Sequence, residues 1–369
     1  MRKKTTAFTV ILIIAVVIVQ LYLRVPEVQE KIATYTEEDF NEENIYSDLE
    51  TLAQRLDEEI LKGEESFTVY LKDMDVDEIN QINSSLNGIF GSGETYQQVG
   101  AVGDSYKKVK ITIRRTINYY VLKACEDGSE IPENQPKADR LYEVVRQVLD
   151  SVITDGMTDY DKELALHDYL VSHCRYSEDT TQEPESDIYR AYGALVDGDA
   201  VCNGYAEAMQ LLLMCVGVNT RFVIGTADGV DHAWNLVELD GNWYHMDATW
   251  DDPLPDQGDN VLHPYFNVTN DIMQKNHEWI AEDYPTASHM EYNYYVKSQN
   301  YFNDFDSYKE SAYEVMVSHG NRTYEAVIQN YEETEEDMQF LFDGNYRYNS
   351  ISWQTFGEGK YHVLVLHAQ

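Results

Sequence analysis

The sequence predicts an α+β protein in which a helix that begins with a cysteine packs on an antiparallel sheet. Small α+β segments flank this core, and a membrane-spanning segment precedes it. Three observations lead to this prediction: an apolar run near the N-terminus, a glycine-rich turn that enters an apolar helix at Cys202, and two strand-like segments joined by Asp240-Gly241. With 43% hydrophobic and 12% aromatic residues in 369, the chain has enough apolar material for a folded core and is not a disordered protein.

The charge balance excludes two classes of partner. The chain has 27 Lys and Arg against 66 Asp and Glu, a formal net charge of −39. Such a field repels nucleic-acid backbones and anionic membrane surfaces, so we expect no nucleic acid and no membrane contact beyond the N-terminal anchor. The four cysteines are too few and too scattered for a disulfide framework, and none forms a CxxC pair. No cofactor and no metal ion are predicted.

The first residues predict the location of the protein. Residues 7–23 carry no charge and, at about 1.5 Å per residue, a helix of this length nearly crosses a ~30 Å hydrocarbon layer. Basic residues at 2–4 keep the N-terminus inside, so the body faces outward. Because residues 20–24 offer no small-residue cleavage site, we expect a single-pass protein of the cell membrane with an extracellular body. A cleaved signal peptide and a secreted protein are the alternative.

Composition and patterning divide the chain into five predicted regions: 1–25 the signal anchor, 26–62 an acidic spacer with an amphipathic helix, 63–135 an α+β flanking region, 136–300 the catalytic domain, and 301–369 a second α+β flanking region. The spacer helix has apolar residues on one face and ends at Gly63, where a helix C-cap belongs. Predicted flank elements are strands at 66–71, 108–114, 324–328 and 361–366, and helices from Asp75 and at 333–342. Their similar order leaves open that the two flanks are related or form one small unit.

Cys202 is the candidate nucleophile. It follows the glycine-rich segment 193–200, and the apolar positions after it predict a helix that ends near Gly217. At the first turn of a helix, unsatisfied N–H groups and the positive end of the helix dipole favour a thiolate. Cys215, on the apolar part of the same helix, is interpreted as an inert core thiol.

A base for this thiol is predicted on the next segment. Residues 231–239 and 242–250 have the pattern of two strands, and Asp240-Gly241 between them is typical of a type I′ hairpin turn. In that register Leu239 pairs with Asn242, and His232 and Asp247 become diagonal neighbours on one face. A carboxylate on one imidazole nitrogen leaves the other for the thiol, so the sequence predicts a Cys-His-Asp arrangement.

Three sequence blocks resemble the signature of the transglutaminase-like superfamily, in particular its bacterial branch: Val201-Cys202-Asn203-Gly204-Tyr205-Ala206, His232-Ala233-Trp234-Asn235, and Asp247-Ala248-Thr249-Trp250-Asp251-Asp252-Pro253. Upstream Lys162 to Leu170 and downstream Tyr265 to Trp279 are similar as well. The resemblance implies a papain-like α+β fold and thiol chemistry on peptide or glutamine amides of proteins. By this resemblance Cys202 is the nucleophile, His232 the base and Asp247 the residue that orients it, with the Cys202 N–H as one oxyanion donor.

Other interpretations stay open. A degenerate member of the superfamily would be an inactive surface binding or structural module. His232, His245 and Asp247 could share a face as metal ligands, and Asp251, Asp252, Asp256 and Asp259 could hold calcium, although neither set has a known metal motif. The second oxyanion donor is undefined, with Tyr192 and Asn203 as candidates. Between hydrolysis and transamidation, the sequence slightly favours hydrolysis because nothing in it identifies a site for an amine.

Overall fold

The computed structural model describes residues 42–79, 89–102, 106–178, 183, 186–252, 261–329, 331, 350–358 and 360–368. The predicted anchor at 1–25, the first part of the spacer (26–41) and the predicted helix at 333–342 lie outside these residues. Within the described ranges, no helix has the length and apolar character needed to cross a membrane. The fold is mixed α+β and divides into two compact units, residues 1–114 and 115–369.

The first unit contains one four-stranded sheet, in the order β1-β2-β4-β3. Its helix α1 begins after Asp48, whose side chain accepts from the Thr51 N–H at 2.8 Å, and it ends at Gly63 in the left-handed conformation, as predicted. The helices and strands of this unit are β1 Ile45–Tyr46, α1 Leu49–Lys62, β2 Ser66–Lys72, α2 Val76–Ile79, β3 Gly91–Val102 and β4 Tyr106–Arg115.

The second unit contains the candidate site. Its helices are α3 Ile117–Asp127, α4 Pro136–Val152, α5 Asp159–His173, α6 Cys202–Cys215, α7 Asn270–Met273, α8 Tyr294–Lys297 and α9 Phe305–Ala312. Its strands are β5 Arg175–Tyr176, β6 Asp199–Ala200, β7 Thr220–Ala227, β8 Val230–Leu239, β9 Asn242–Met246, β10 His277–Glu278, β11 Tyr301–Phe302, β12 Thr323–Ile328, β13 Ile351–Glu358 and β14 Tyr361–Ala368. Of the elements of eight or more residues in this unit, sequence analysis did not predict α3, α9, β7 or β13.

Two four-stranded sheets, β10-β7-β8-β9 and β11-β12-β14-β13, share one hydrophobic core. Trp234 and Leu236 from β8 are buried in the same cluster as Val327 from β12 and Val363 from β14. The C-terminal flank is therefore part of the second unit, and the alternative in which both flanks form one small unit is wrong. This shared core places β13 beside the sheet that carries the candidate site.

The β8–β9 hairpin has the predicted register. Leu239 pairs with Asn242 and Asn235 with Met246, while Asp240 and Gly241 both have positive φ, at 50° and 78°. A type I′ turn requires this conformation at both central residues. The turn therefore fixes which side chains of the hairpin share a face.

Candidate active site

The helix that carries Cys202 begins at that residue, as predicted. Val201 is the N-cap, so Cys202 occupies the first helical position and its N–H has no intrahelical acceptor. Gly204 lets this first turn pack against the preceding chain, since a Cβ there would lie 2.7 Å from the Ile188 carbonyl oxygen. The thiol is half-buried and thus reachable.

A buried glutamate on α6 holds the glycine-rich segment in place. The Glu207 carboxylate accepts from Arg190 Nη1 at 3.1 Å, from the Ala191 N–H at 3.1 Å and from Asn118 Nδ2 at 3.2 Å. On the other side of the helix, Asn235 Nδ2 of β8 donates to the Ala206 carbonyl at 3.0 Å. These contacts fix the start of α6 against the strand that carries His232.

His232 lies between Cys202 and Asp247. Its Nε2 is 2.6 Å from Asp247 Oδ2, and the Cys202 thiol is near enough to the same imidazole to raise its pKa. Because Nε2 faces the carboxylate, Nδ1 is the nitrogen available to the thiol. Asp247 is fully buried and also accepts from the N–H groups of Thr249 at 3.0 Å and Trp250 at 3.2 Å.

The charges at this site favour an imidazolium–carboxylate pair. Burial lowers the pKa of His232, but the charge of Asp247 and the hydrogen bonds to Asp247 and Cys202 raise it to about 10. Burial raises the pKa of Asp247, yet His232 and His277 hold it well below its usual range. The site therefore stabilises a proton on the imidazole, as a thiolate–imidazolium pair requires.

His277 is a member of this site that sequence reasoning did not assign. Its Nε2 lies 3.1 Å from Asp247 Oδ2, the same oxygen that faces His232. The alternative of a metal ligated by His232, His245 and Asp247 is not supported for His245. Both ring nitrogens of His245 are occupied, by Trp234 Nε1 at 2.9 Å and Asn270 Oδ1 at 3.0 Å, and burial lowers its pKa to about 3. The sequence feature that could have identified His277 is its position in the segment Tyr265 to Trp279, which resembles the superfamily.

A cleft of about 430 Å³ opens beside His232. Its walls come from β7, β8, the turn after Asp247 and the C-terminal strand β13, and its lining residues include Tyr176, Val230, Asp231, Trp250, Asp252, Leu262, Gln354 and Phe356. Burial, followed by the charges of Cys202 and Asp247, raises the pKa of Tyr176, so its hydroxyl stays a donor. The cleft thus combines apolar walls with carboxylates and one phenol.

The remaining predicted candidates have other contacts. Asp251 is within 3.1 Å of His167, and Asp252 accepts from Tyr205 at 2.6 Å, whereas residues 256 and 259 of the calcium alternative lie outside the described residues. Asn203 donates to the Tyr189 carbonyl at 3.1 Å. The Tyr192 ring lies 5.0 Å from Lys137 Nζ. The Cys215 thiol, interpreted as a core thiol, hydrogen-bonds that of Cys125.

The site thus combines a cysteine at a helix N-terminus with a histidine and an aspartate on a neighbouring hairpin in a mixed α+β fold. Residues 146–248 match the family model of the transglutaminase-like superfamily, and this segment is a transglutaminase-like domain. The chain is similar to the kyphoscoliosis peptidases of Mus musculus, 24% identical over 124 residues, and Homo sapiens, 25% identical over 122. Each alignment covers 30% of this chain but only 19% and 18% of those proteins.

Among solved structures, the protein is similar to one described as a TGase. The identity is 14% and the TM-score 0.27, with 57% of this chain and 59% of the other covered.

One buried acid predicts a pH-dependent stability. Glu163 on α5 is fully buried, Asn267 Nδ2 donates to it at 2.8 Å, and burial raises its pKa to about 8. Its contribution to stability is complete below about pH 4.5 and is lost as the pH rises through 8. Glu163→Gln keeps an acceptor for Asn267 and cannot ionise. We compare the melting temperature of Glu163→Gln with that of the parent at each pH. The difference, variant minus parent, should increase by ~2–4 °C from pH 5 to pH 8.5, equivalent to about 1 kcal/mol.

Glu143→Gln is the matched control, because Glu143 lies exposed on the neighbouring helix α4 and pairs with Arg140 at its surface. Its melting temperature should follow that of the parent at every pH. Equal curves for Glu163→Gln and the parent would contradict the prediction.

Proposed function

We propose that this protein is a thiol hydrolase that cleaves peptide or glutamine amide bonds of proteins through Cys202, His232 and Asp247. The observation that carries the proposal is the position of His232, whose Nε2 lies 2.6 Å from the buried Asp247 carboxylate while the Cys202 thiol is near enough to raise the pKa of the imidazole. Transglutaminase-like and peptidase relatives agree with thiol chemistry on amides.

The reaction follows from these positions. The Cys202 thiolate attacks the amide carbonyl, and the helix-terminal N–H of Cys202 stabilises the oxyanion, with the Tyr176 hydroxyl as the second donor. His232 donates its proton to the leaving nitrogen, which departs as an amine or ammonia. Water then gives a proton to His232 and attacks the thioester carbonyl, which releases the carboxylic acid and restores the Cys202 thiolate and the His232 imidazolium. Asp247 holds the imidazole in place throughout.

The cleft supports a substrate with an extended apolar portion. Trp250 and Phe356 present aromatic surface, and the carboxylate of Asp231 favours basic groups nearby. Water is present at about 55 M, so an amine competes only where a site binds it or water is excluded. We therefore favour hydrolysis over crosslinking, although a lysine acceptor would be drawn to an acidic surface.

The partition of the acyl-enzyme tests this preference. With a glutamine-containing protein substrate and a millimolar primary amine, we expect the released ammonia or new N-terminus to exceed amine incorporation, which mass spectrometry measures on the same sample. Incorporation that outpaces hydrolysis would overturn the preference for water but not the role of Cys202. An inactive module would give neither product, and a thiol-reactive probe at neutral pH would label Cys202 slowly.

The proposed location rests on the sequence alone: residues 7–23 anchor the protein in the cell membrane, with the catalytic domain outside and surface proteins or peptides as substrates. External protease should then digest the body on intact cells, and a body protected until lysis would contradict this orientation.

A further inference from the structure

A second cluster of titratable side chains lies on α5 and the chain that packs against it. His167 and Asp168 are consecutive on α5, and His263 reaches them from far along the chain. Nδ1 of His167 and Nε2 of His263 each lie 3.0 Å from one oxygen, Oδ1 of Asp168. Each of the three residues offers one potential ligand atom, and these three atoms lie within 4.8 Å of one another. Two imidazole nitrogens and a carboxylate thus converge on one point.

The outer nitrogens of both histidines face carboxylates. His167 Nε2 is 3.1 Å from Asp251 Oδ2, and His263 Nδ1 is 2.6 Å from Glu325 Oε1. A histidine that binds a metal through one nitrogen usually donates its other N–H to such a carboxylate, which fixes the tautomer and the ring orientation. The His263 ring is also stacked on Tyr294, with centroids 3.7 Å apart. Both rings are therefore held with one nitrogen directed at Asp168.

Charge balance in this cluster is compatible with a divalent ion. Three carboxylates, those of Asp168, Asp251 and Glu325, face the two imidazoles. A divalent cation bound between the inner nitrogens offsets two of these negative charges and leaves the outer contacts to Asp251 and Glu325 in place.

The N···O distances are close to those between the ligands of one metal ion, and a cavity beside the cluster gives a path to it. Ligand atoms about 2.0–2.1 Å from a tetrahedral zinc ion lie ~3.3–3.4 Å apart, so the 3.0 Å separations need to widen by only a few tenths of an ångström. Asp168 and His263 line a cavity of about 710 Å³, and the Asp168 side chain is 42% exposed. Three protein ligands beside a cavity are typical of zinc sites that keep one position for water or a small ligand.

We propose that His167, Asp168 and His263 bind one divalent transition-metal ion, such as Zn²⁺, with a remaining coordination position open to this cavity. The site is separate from Cys202 and does not depend on the proposed hydrolase activity. It is linked to the candidate active site through Asp251, whose N–H donates to the Asp247 carbonyl at 3.1 Å. Through Asp251, the bound ion stabilises the turn that carries Asp247 and Asp251.

Zinc titration of the metal-free full-length chain tests the proposal. A Cys202→Ser background removes the half-buried thiol of the candidate active site as a competing ligand, and calorimetry reports affinity and stoichiometry. We expect one Zn²⁺ per chain with an increase in melting temperature, and an affinity at least ~100-fold lower in Asp168→Asn. His263→Gln should behave like Asp168→Asn. Because His263 is buried and its loss can disturb folding, the half-exposed Asp168 is the deciding position, and the melting temperature without zinc checks its fold.

His232→Gln is the matched control, since His232, Asp247 and His277 form the other cluster with converging ligand atoms in the described part of the chain. Zinc affinity in His232→Gln should equal that of the background. Loss of binding in His232→Gln with retention in Asp168→Asn would place the ion at the candidate active site and overturn the proposal. Equal affinity in all variants, or no binding at micromolar zinc, would overturn it as well.

Discussion

Replacing Cys202 by alanine is expected to lower the rate of amide hydrolysis at least ~10⁴-fold while the protein stays folded. The thiolate forms the bond to the substrate carbonyl, so without it neither His232 nor Asp247 has an acyl-enzyme to act on, and only binding and the oxyanion donors remain. The half-buried side chain at the first position of α6 leaves space when it is shortened and breaks no backbone contact. The measurement is kcat/KM on a peptide that the parent cleaves, with the melting temperature of both proteins.

Cys125→Ala provides the comparison, because Cys125 is also a half-buried thiol in the second unit but lies on α3 and interacts with Cys215. Its rate should stay within about threefold of the parent. A Cys202→Ala protein that is folded and retains more than a tenth of the parent rate would eliminate the thiol mechanism.

Asp247→Asn is expected to lower the rate by ~10³–10⁴-fold. The two imidazoles of His232 and His277 face Oδ2 of Asp247, at 2.6 and 3.1 Å, and both can donate to a carboxylate. An asparagine amide either presents N–H groups to these rings, which favours the wrong tautomer, or offers a neutral oxygen that stabilises an imidazolium far less. The measurement is kcat across pH 5–9 together with the melting temperature.

Asp247→Asn should also change how the stability of the protein depends on pH. With its low folded pKa, Asp247 stabilises the protein above about pH 3.8, and this contribution is lost as the pH falls. His232 has a folded pKa of about 10, so its contribution is complete below about pH 6.5 and is lost as the pH rises through 10. Asp231→Asn, an aspartate of the cleft wall, is the control. Equal effects of the two substitutions on kcat would show that cleft charge, rather than orientation of His232, matters.

The sequence was sufficient where local rules determine the structure. Asp240-Gly241 fixed the hairpin register, because both residues adopt positive φ and only one pairing then follows. The start of α6 at Cys202 followed from a glycine-rich turn before an apolar helix. These two features alone bring His232 and Asp247 together and place the thiol at a helix terminus.

Contacts between distant segments could not be predicted in this way. His277 approaches Asp247 through the pairing of β10 with β7, and β7 itself was not recognised as a strand. Glu207 appeared only as a charged residue within an apolar helix, yet it is buried because three donors from other elements converge on its carboxylate. No local pattern marks such partners, since they depend on how strands and loops pack.

Because β13 lines the cleft, the residues that contact a substrate and the candidate catalytic residues come from distant parts of the sequence. Thiol, imidazole and carboxylate all lie between residues 202 and 247, whereas Gln354 and Phe356 reach the cleft from an edge strand more than a hundred positions later. Exchanges at those two positions alter the shape and polarity offered to a substrate without touching the hydrogen bonds of His232. Under the proposed function, substrate preference can thus diversify among descendants of this chain while Cys202, His232 and Asp247 are inherited unchanged.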